Sequence, residues 1–135
     1  VVDYINEYAP WVSSQIVTCS IHKDPVGGYQ ELAYHVQQIP HTVLLAFIGR
    51  SNGAGPTLSA NTTVPVITIP VGWQKFPDDI WSSLHTPSNV PVMTVLDPKN
   101  ACLAALQILS ASNPALAMQL QTERLGRSRN IIMIQ

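Results

Sequence analysis

Apolar and polar positions fall in alternating blocks along this chain. Val43 to Ile48, Val66 to Ile69 and Val92 to Leu96 are nearly unbroken apolar runs of strand length. Such short continuous runs suit strands covered on both faces, as in parallel sheets. Ile16-Val17-Thr18-Cys19-Ser20 reads as a further short buried strand. Between the runs lie helical patterns. Gly28 to Ile39 places Leu32, Val36 and Ile39 on one face. Pro56 to Thr62 predicts a short helix with proline in its first turn. Asp78 to Leu84 predicts another, with acid at its positive end. Asn100 to Leu109 is rich in Ala and Leu, and Asn113-Pro114 opens a last helix running to about Leu125. This strand–helix alternation predicts an α/β fold of three layers around a parallel sheet.

The two ends break the alternation. Asp3 to Trp11 predicts a helix with no strand ahead of it, and Asn130 to Gln135 predicts a strand with no helix after it. One expectation reconciles them: the last strand fills the sheet position of a first strand, within the chain or by exchange with a neighbour. The alternative is an interface strand or a flexible end.

At 135 residues the chain has the size of one domain, expected to cover 1–135. Charged residues are only 11%, against roughly 25% in an average soluble domain. So sparse a charge predicts surface buried against other subunits, a homo-oligomer. The formal net charge of −1 gives no electrostatic footprint for nucleic acid. No apolar run approaches the roughly 18 residues needed to cross a bilayer, and no basic leader with a cleavage site opens the sequence. Cys19 and Cys102 have no metal or redox spacing and are expected to be free, buried thiols, which fits the cytoplasm.

Ligands of open parallel sheets bind beyond the carboxyl ends of the strands. Two polar clusters fall there: Ser20-Ile21-His22-Lys23-Asp24-Pro25, and the turn Gly49-Arg50-Ser51-Asn52-Gly53-Ala54-Gly55-Pro56. Adjacent strand ends bring His22 near Ser51 and Gly53. Together they supply an imidazole that moves a proton at neutral pH, a cation, and backbone N–H groups free to face an anion. Gly53 and Gly55 allow close backbone approach, and the helix that follows favours negative charge. Taken singly, His22 reads as a structural histidine and Lys23 as a solvated charge. The turn matches neither a dinucleotide nor a P-loop pattern. Gly49-Arg50-Ser51-Asn52-Gly53 has the letters of a hydrolase elbow, but His85 is the one histidine downstream of it, so a triad is cramped. His35 and His41 are set aside, His85 ends a helix, and Asp78 and Asp79 read as helix-start residues.

Taken together, the two clusters resemble the aminoimidazole ribonucleotide (AIR) carboxylase family, in its animal-type form often fused to SAICAR synthetase. The family pattern Ser-Ala-His-Lys-x-Pro is similar to Ser20 to Pro25, and Gly-Arg-Ser-Asn-Gly-x-Gly-Pro stands intact at Gly49 to Pro56. Ser59, Asn61, Thr62, Pro65 to Ile67, Ile80 to Leu84 and Thr94 to Leu96 continue the likeness, which covers about Ile16 to Gln119. The bacterial mutase form has Arg after the histidine and Gly-Gly-Ala-Ala-His in the turn, and neither occurs here.

The resemblance implies a three-layer sandwich on a flavodoxin-like sheet, and carboxylation of AIR at its imidazole C4 by carbon dioxide in purine synthesis. It implies no ATP, biotin or metal, and an octamer with sites near subunit contacts. His22 would relay the C4 proton. Lys23, Ser51 and the Gly53 amide would hold carbon dioxide and the developing carboxylate. Ser20, Arg50 and Asn52 would shape the nucleotide site. Family members open with a strand and Gly-Ser-x-Ser-Asp, which takes the phosphate and ribose. Here Asp3 alone stands in for its last residue, Ile21 replaces the small Ala, and Val26 replaces an Asp. These departures keep a second expectation open: a non-catalytic relative acting as an oligomeric scaffold or nucleotide-binding module. A Ser51 hydrolase is the third.

Overall fold

The computed structural model describes residues 2–128. In chain order the elements are α1 (Val2–Tyr8), α2 (Pro25–Gln38), β1 (Leu44–Ile48), α3 (Ala54–Asn61), β2 (Val66–Pro70), a 3₁₀ turn (Pro77–Ile80) running into α4 (Trp81–Leu84), β3 (Met93–Thr94), α5 (Pro98–Ser110) and α6 (Pro114–Ser128). The sheet has the order β1-β2-β3 and is parallel throughout. Leu44 pairs with Val66, Ile48 with Pro70, and Thr68 with Thr94.

Every residue of the central strand β2 is buried, so its apolar run, interrupted at Thr68 alone, reports cover on both faces. Alternation along the strand divides the two cores. Ile67 and Ile69 pack with Ala101 and Ala105 of α5, flanked by Val43, Leu45, Val95, Ala104 and Ile108. On the other face Thr68 meets α3, where a Cβ on Gly55 would overlap its Cγ2. A second cluster, Ala9, Leu106 and Leu116, joins the end of α1 and the start of α6 to the outer side of α5. The sheet is thus flanked by helices on both faces, the three-layer α/β fold that the pattern predicts.

Three helices begin on an Asx–Pro pair. Asp24 accepts from Gly27 N–H at 2.9 Å, Asp97 from Asn100 N–H at 2.8 Å, and Asn113 from Leu116 N–H at 3.1 Å. In each pair the side-chain oxygen caps a free amide and the proline takes the first helical position, where no N–H is needed. Helices α2 and α5 therefore start at Pro25 and Pro98 rather than at the expected Gly28 and Asn100.

The expected strand Ile16–Ser20 is not one. The segment has no ladder, and Ile16 is 75% exposed. A strand needs a partner for its N–H and C=O groups, and among the described residues β1 pairs with β2 alone. The expected strand at Asn130 to Gln135 lies outside the described residues.

Candidate active site

The first polar cluster is a tight turn. Ser20 C=O accepts from Lys23 N–H at 3.2 Å and from Asp24 N–H at 2.8 Å, and Ser20 Oγ lies 3.4 Å from Lys23 N. Asp24 then caps α2. Ile21 and Cys19 lean on Gly28, a buried helical residue; a Cβ there would sit 3.4 Å from Ile21 Cδ1. Those contacts bring the turn over the carboxyl end of β1. A Cβ on Gly53 would lie 2.6 Å from His22 Nε2 and 3.2 Å from its Cδ2. The imidazole therefore rests on the Gly53 backbone, and glycine is needed there for approach rather than for φ. His22 and Lys23 are both exposed.

The second cluster is built from the sheet outward. Ser51 has φ of 53°, the left-handed region that a residue with a side chain seldom enters. Its N–H donates to both oxygens of Asp79, at 2.8 and 3.0 Å. Asn52 N–H donates to Ser82 Oγ at 2.8 Å, and Ser82 Oγ donates to Asp79 C=O at 2.7 Å. The Asn52 side chain is 5% exposed. Its Nδ2 donates to Ser83 Oγ at 2.9 Å, and its Oδ1 accepts from Gly55 N–H at 2.9 Å. Gly53 N–H turns back to Ser51 C=O at 2.7 Å. The Arg50 guanidinium lies 3.6 Å from the centre of the Phe76 ring, a cation–π contact. Gly49 C=O sits where a Cβ on Gly72 would be, so the two loops touch backbone to backbone.

These bonds change the expected roles. The N–H groups of Ser51, Asn52, Gly53 and Gly55 are not free to face an anion, because each already has a protein acceptor. Asn52 is a buried pin rather than an outward donor. Asp78 and Asp79 stand in the first turn of the 3₁₀ helix, as expected of helix-start acids; Asp79 in addition spends its carboxylate on Ser51 N–H rather than on a cap of its own helix. His22, Lys23, Arg50 and Ser51 are exposed and Ser20 is half-buried; Arg50 lies over the Phe76 ring. Asp3 is exposed on α1, and no hydrogen bond joins it to either cluster among the described residues. Nor does one join a histidine to Ser51. His85 stacks on Trp81 with ring centres 5.2 Å apart. The turn has the backbone twist of a hydrolase elbow without its base.

Both cysteines are free. Cys102 is buried as expected, but Cys19 is exposed. Both thiols have raised pKa values. Burial of the sulfur is the first cause for each, and Glu31 and Asp24 add to it at Cys19. A raised thiol pKa leaves little thiolate at neutral pH, so neither is an activated nucleophile. A cleft of about 690 Å³ lies at the other end of the sheet, lined by Leu32, Val36, Ile39, His41, Leu44 and Leu58 among others. It faces the start of β1, away from both polar clusters, and holds none of the candidate chemistry. Among the described residues no helix is long and apolar enough to cross a membrane.

Residues 6–130 match the family model described as AIR carboxylase, and the chain belongs to that family. It is 38% identical over 112 residues to a probable multifunctional protein ADE2 of Caenorhabditis elegans, covering 83% of this chain and 26% of that protein. It is 40% identical over 107 residues to the human bifunctional phosphoribosylaminoimidazole carboxylase/phosphoribosylaminoimidazole succinocarboxamide synthetase, covering 76% of this chain and 24% of that one. It is 31% identical over 117 residues to an N5-carboxyaminoimidazole ribonucleotide mutase of Synechocystis, covering 84% and 66% respectively. The chain thus spans about a quarter of the length of the animal relatives. Among solved structures it is similar to Treponema denticola PurE, with a TM-score of 0.87 at 24% identity, covering 97% of this chain and 82% of that one. That likeness shows the shared flavodoxin-like fold.

Proposed function

We propose that this chain carboxylates aminoimidazole ribonucleotide with carbon dioxide in purine synthesis. The observation that carries the reading is His22 Nε2 resting on Gly53, beside Lys23 and Ser51, at the carboxyl end of β1. The ring carbon C4 of AIR is electron-rich. It gives an electron pair to the carbon of carbon dioxide, forming the new C–C bond, and one C=O pair moves onto oxygen as the carboxylate. The C4 proton then leaves to His22, which restores the aromatic ring. Lys23 and the Ser51 hydroxyl stabilise the new negative charge, and the glycine backbone admits the flat ring. Nothing in this sequence of steps consumes ATP, biotin or a metal. Ser20, Arg50 and Asp3 belong to the nucleotide side of the site in this reading, and Asn52 and the Gly53 backbone shape its floor.

Lys23 after the histidine and the intact Gly-Arg-Ser-Asn-Gly turn favour the direct carboxylase over the mutase form. The same reading makes 1–135 one AIR carboxylase-like domain of a cytoplasmic homo-oligomer, an octamer by the family's pattern. Its low charge and the exposure of Trp11, Val71, Trp81, Leu84 and Met118 support the oligomer.

One observation favours a second reading, a non-catalytic nucleotide-binding or scaffolding relative: the turn's own amides are spent on protein acceptors. Assay of ¹³C-bicarbonate incorporation into AIR, on the wild type and on His22→Asn, separates the two. Label fixed by the wild type and lost in His22→Asn supports the carboxylase. A folded oligomer that fixes none supports the second reading.

A further inference from the structure

We propose that Asp79 is the positioning residue of this site, holding Ser51 so that its hydroxyl faces the reacting carbon dioxide. The kinetic half of this inference rests on the carboxylase reading; the structural half does not.

Ser51 occupies the left-handed region with φ of 53°. A serine stays there only when its surroundings hold it. The Asp79 carboxylate supplies the hold, with both oxygens on Ser51 N–H at 2.8 and 3.0 Å. An ionised acceptor makes such a bond about twice as strong as a neutral one. Asp79 acts a second time through its backbone. Its C=O accepts the Ser82 hydroxyl proton, which turns the Ser82 lone pairs toward Asn52 N–H. The clamp is itself anchored. Thr94 Oγ1 donates to Ser83 C=O at 2.9 Å and lies 3.1 Å from Thr68 Oγ1, a side chain buried in the middle of the sheet. A continuous polar path therefore runs from the core of β2 through β3 and α4 to the turn.

Within that path Asp79 has a distinct place. Ser82 and Ser83 hold Asn52, whose side chain faces inward. Asp79 holds Ser51, which is exposed and lies two residues from Gly53, where the exposed His22 ring rests. Asp78 shares the first turn of the same 3₁₀ helix, so the place at the helix start is common to both acids, and the bonds to Ser51 N–H belong to Asp79.

The test compares Asp79→Ala and Asp79→Asn with Asp78→Asn. Asp78 is adjacent and exposed, and its side chain makes no hydrogen bond among the described residues. Amide hydrogen exchange at Ser51 is read in each purified full chain, with kcat and KM for AIR. Loss of a charge-assisted bond predicts Ser51 exchange faster by about tenfold in Asp79→Ala. Asp79→Asn, whose amide oxygen still accepts, is expected to be intermediate, and Asp78→Asn to match the wild type. In the active enzyme kcat falls by about 10²-fold in Asp79→Ala, as for a misplaced catalytic group. KM changes little, and Asn restores part of kcat. Unchanged Ser51 exchange in Asp79→Ala overturns the proposal, and so does faster exchange with kcat intact. A wild type without turnover defeats the carboxylase reading instead, and Ser51 exchange alone then decides whether Asp79 holds the turn. Should Asp79→Ala not fold, Asp79→Asn carries the same comparison.

Discussion

The two polar loops at the carboxyl end of the sheet are held in opposite ways. The Gly49 to Pro56 turn is fastened from below. Its amides go to Asp79, Ser82 and Asn52, and its helix sits on the buried Thr68. Among the described residues, the arm carrying His22 is fastened to itself and to α2, through the Ser20 turn, the Asp24 cap and the lean on Gly28. The two meet where the His22 ring lies on Gly53. A site divided in this way has one half fixed by buried bonds and one exposed half, to which the proposed reaction assigns the proton. Buried polar networks rigidify when fully satisfied, whereas an exposed arm is positioned by whatever it touches.

The contrast is broken most strongly at the contact itself. Gly53→Ala places a methyl group where His22 Nε2 now sits, at 2.6 Å. The ring is the far end of a flexible side chain, so the fold yields without cost while the imidazole is displaced. Turnover is expected to fall about 10²-fold, with the thermal midpoint unchanged, measured by carboxylation kinetics beside calorimetry. Gly55→Ala strikes the fastened half. Its methyl overlaps Thr68 in the core, and the loss is expected in stability, about 1–3 kcal/mol by denaturant unfolding. Asp24→Ala removes the cap on α2 beneath the arm, at a cost of about 1 kcal/mol in the same measurement. The smallest effect separates the cysteines. Iodoacetamide is expected to label Cys19 slowly at neutral pH and faster as pH rises through its raised pKa, because thiolate is the reacting form. Cys102, buried, is expected to react only on unfolding.

What the sequence revealed and what it hid follow the same division. β2 stands out as an apolar run because it is buried along its whole length, β1 does so although Phe47 is exposed, and the Gly49 to Pro56 turn stands out by its own letters. Asp79 shows in the sequence as a helix-start acid and Ser82 and Ser83 within the family likeness, but their bonds to the turn do not show, because they reach it from 28 to 31 residues away and no periodicity reports such a distance. A signal was nonetheless present: Thr68 is a hydroxyl inside an otherwise apolar strand, and a buried hydroxyl must be bonded to something. The starts of α2 and α5 are written in Asp24-Pro25 and Asp97-Pro98, cap and first residue, ahead of the points where the apolar periodicity begins. Ile16 to Ser20 has the composition of a strand, yet composition cannot supply the neighbour that a ladder requires.

The most direct test of the central claim is calorimetric titration of AIR into the wild type and His22→Asn, each also assayed for carboxylation in bicarbonate. If His22 carries the proton and the fastened turn holds the substrate, both proteins bind AIR and only the wild type turns it over, with His22→Asn reduced by about 10²–10⁴-fold. No binding at millimolar AIR, in a well-folded oligomer, would contradict the account.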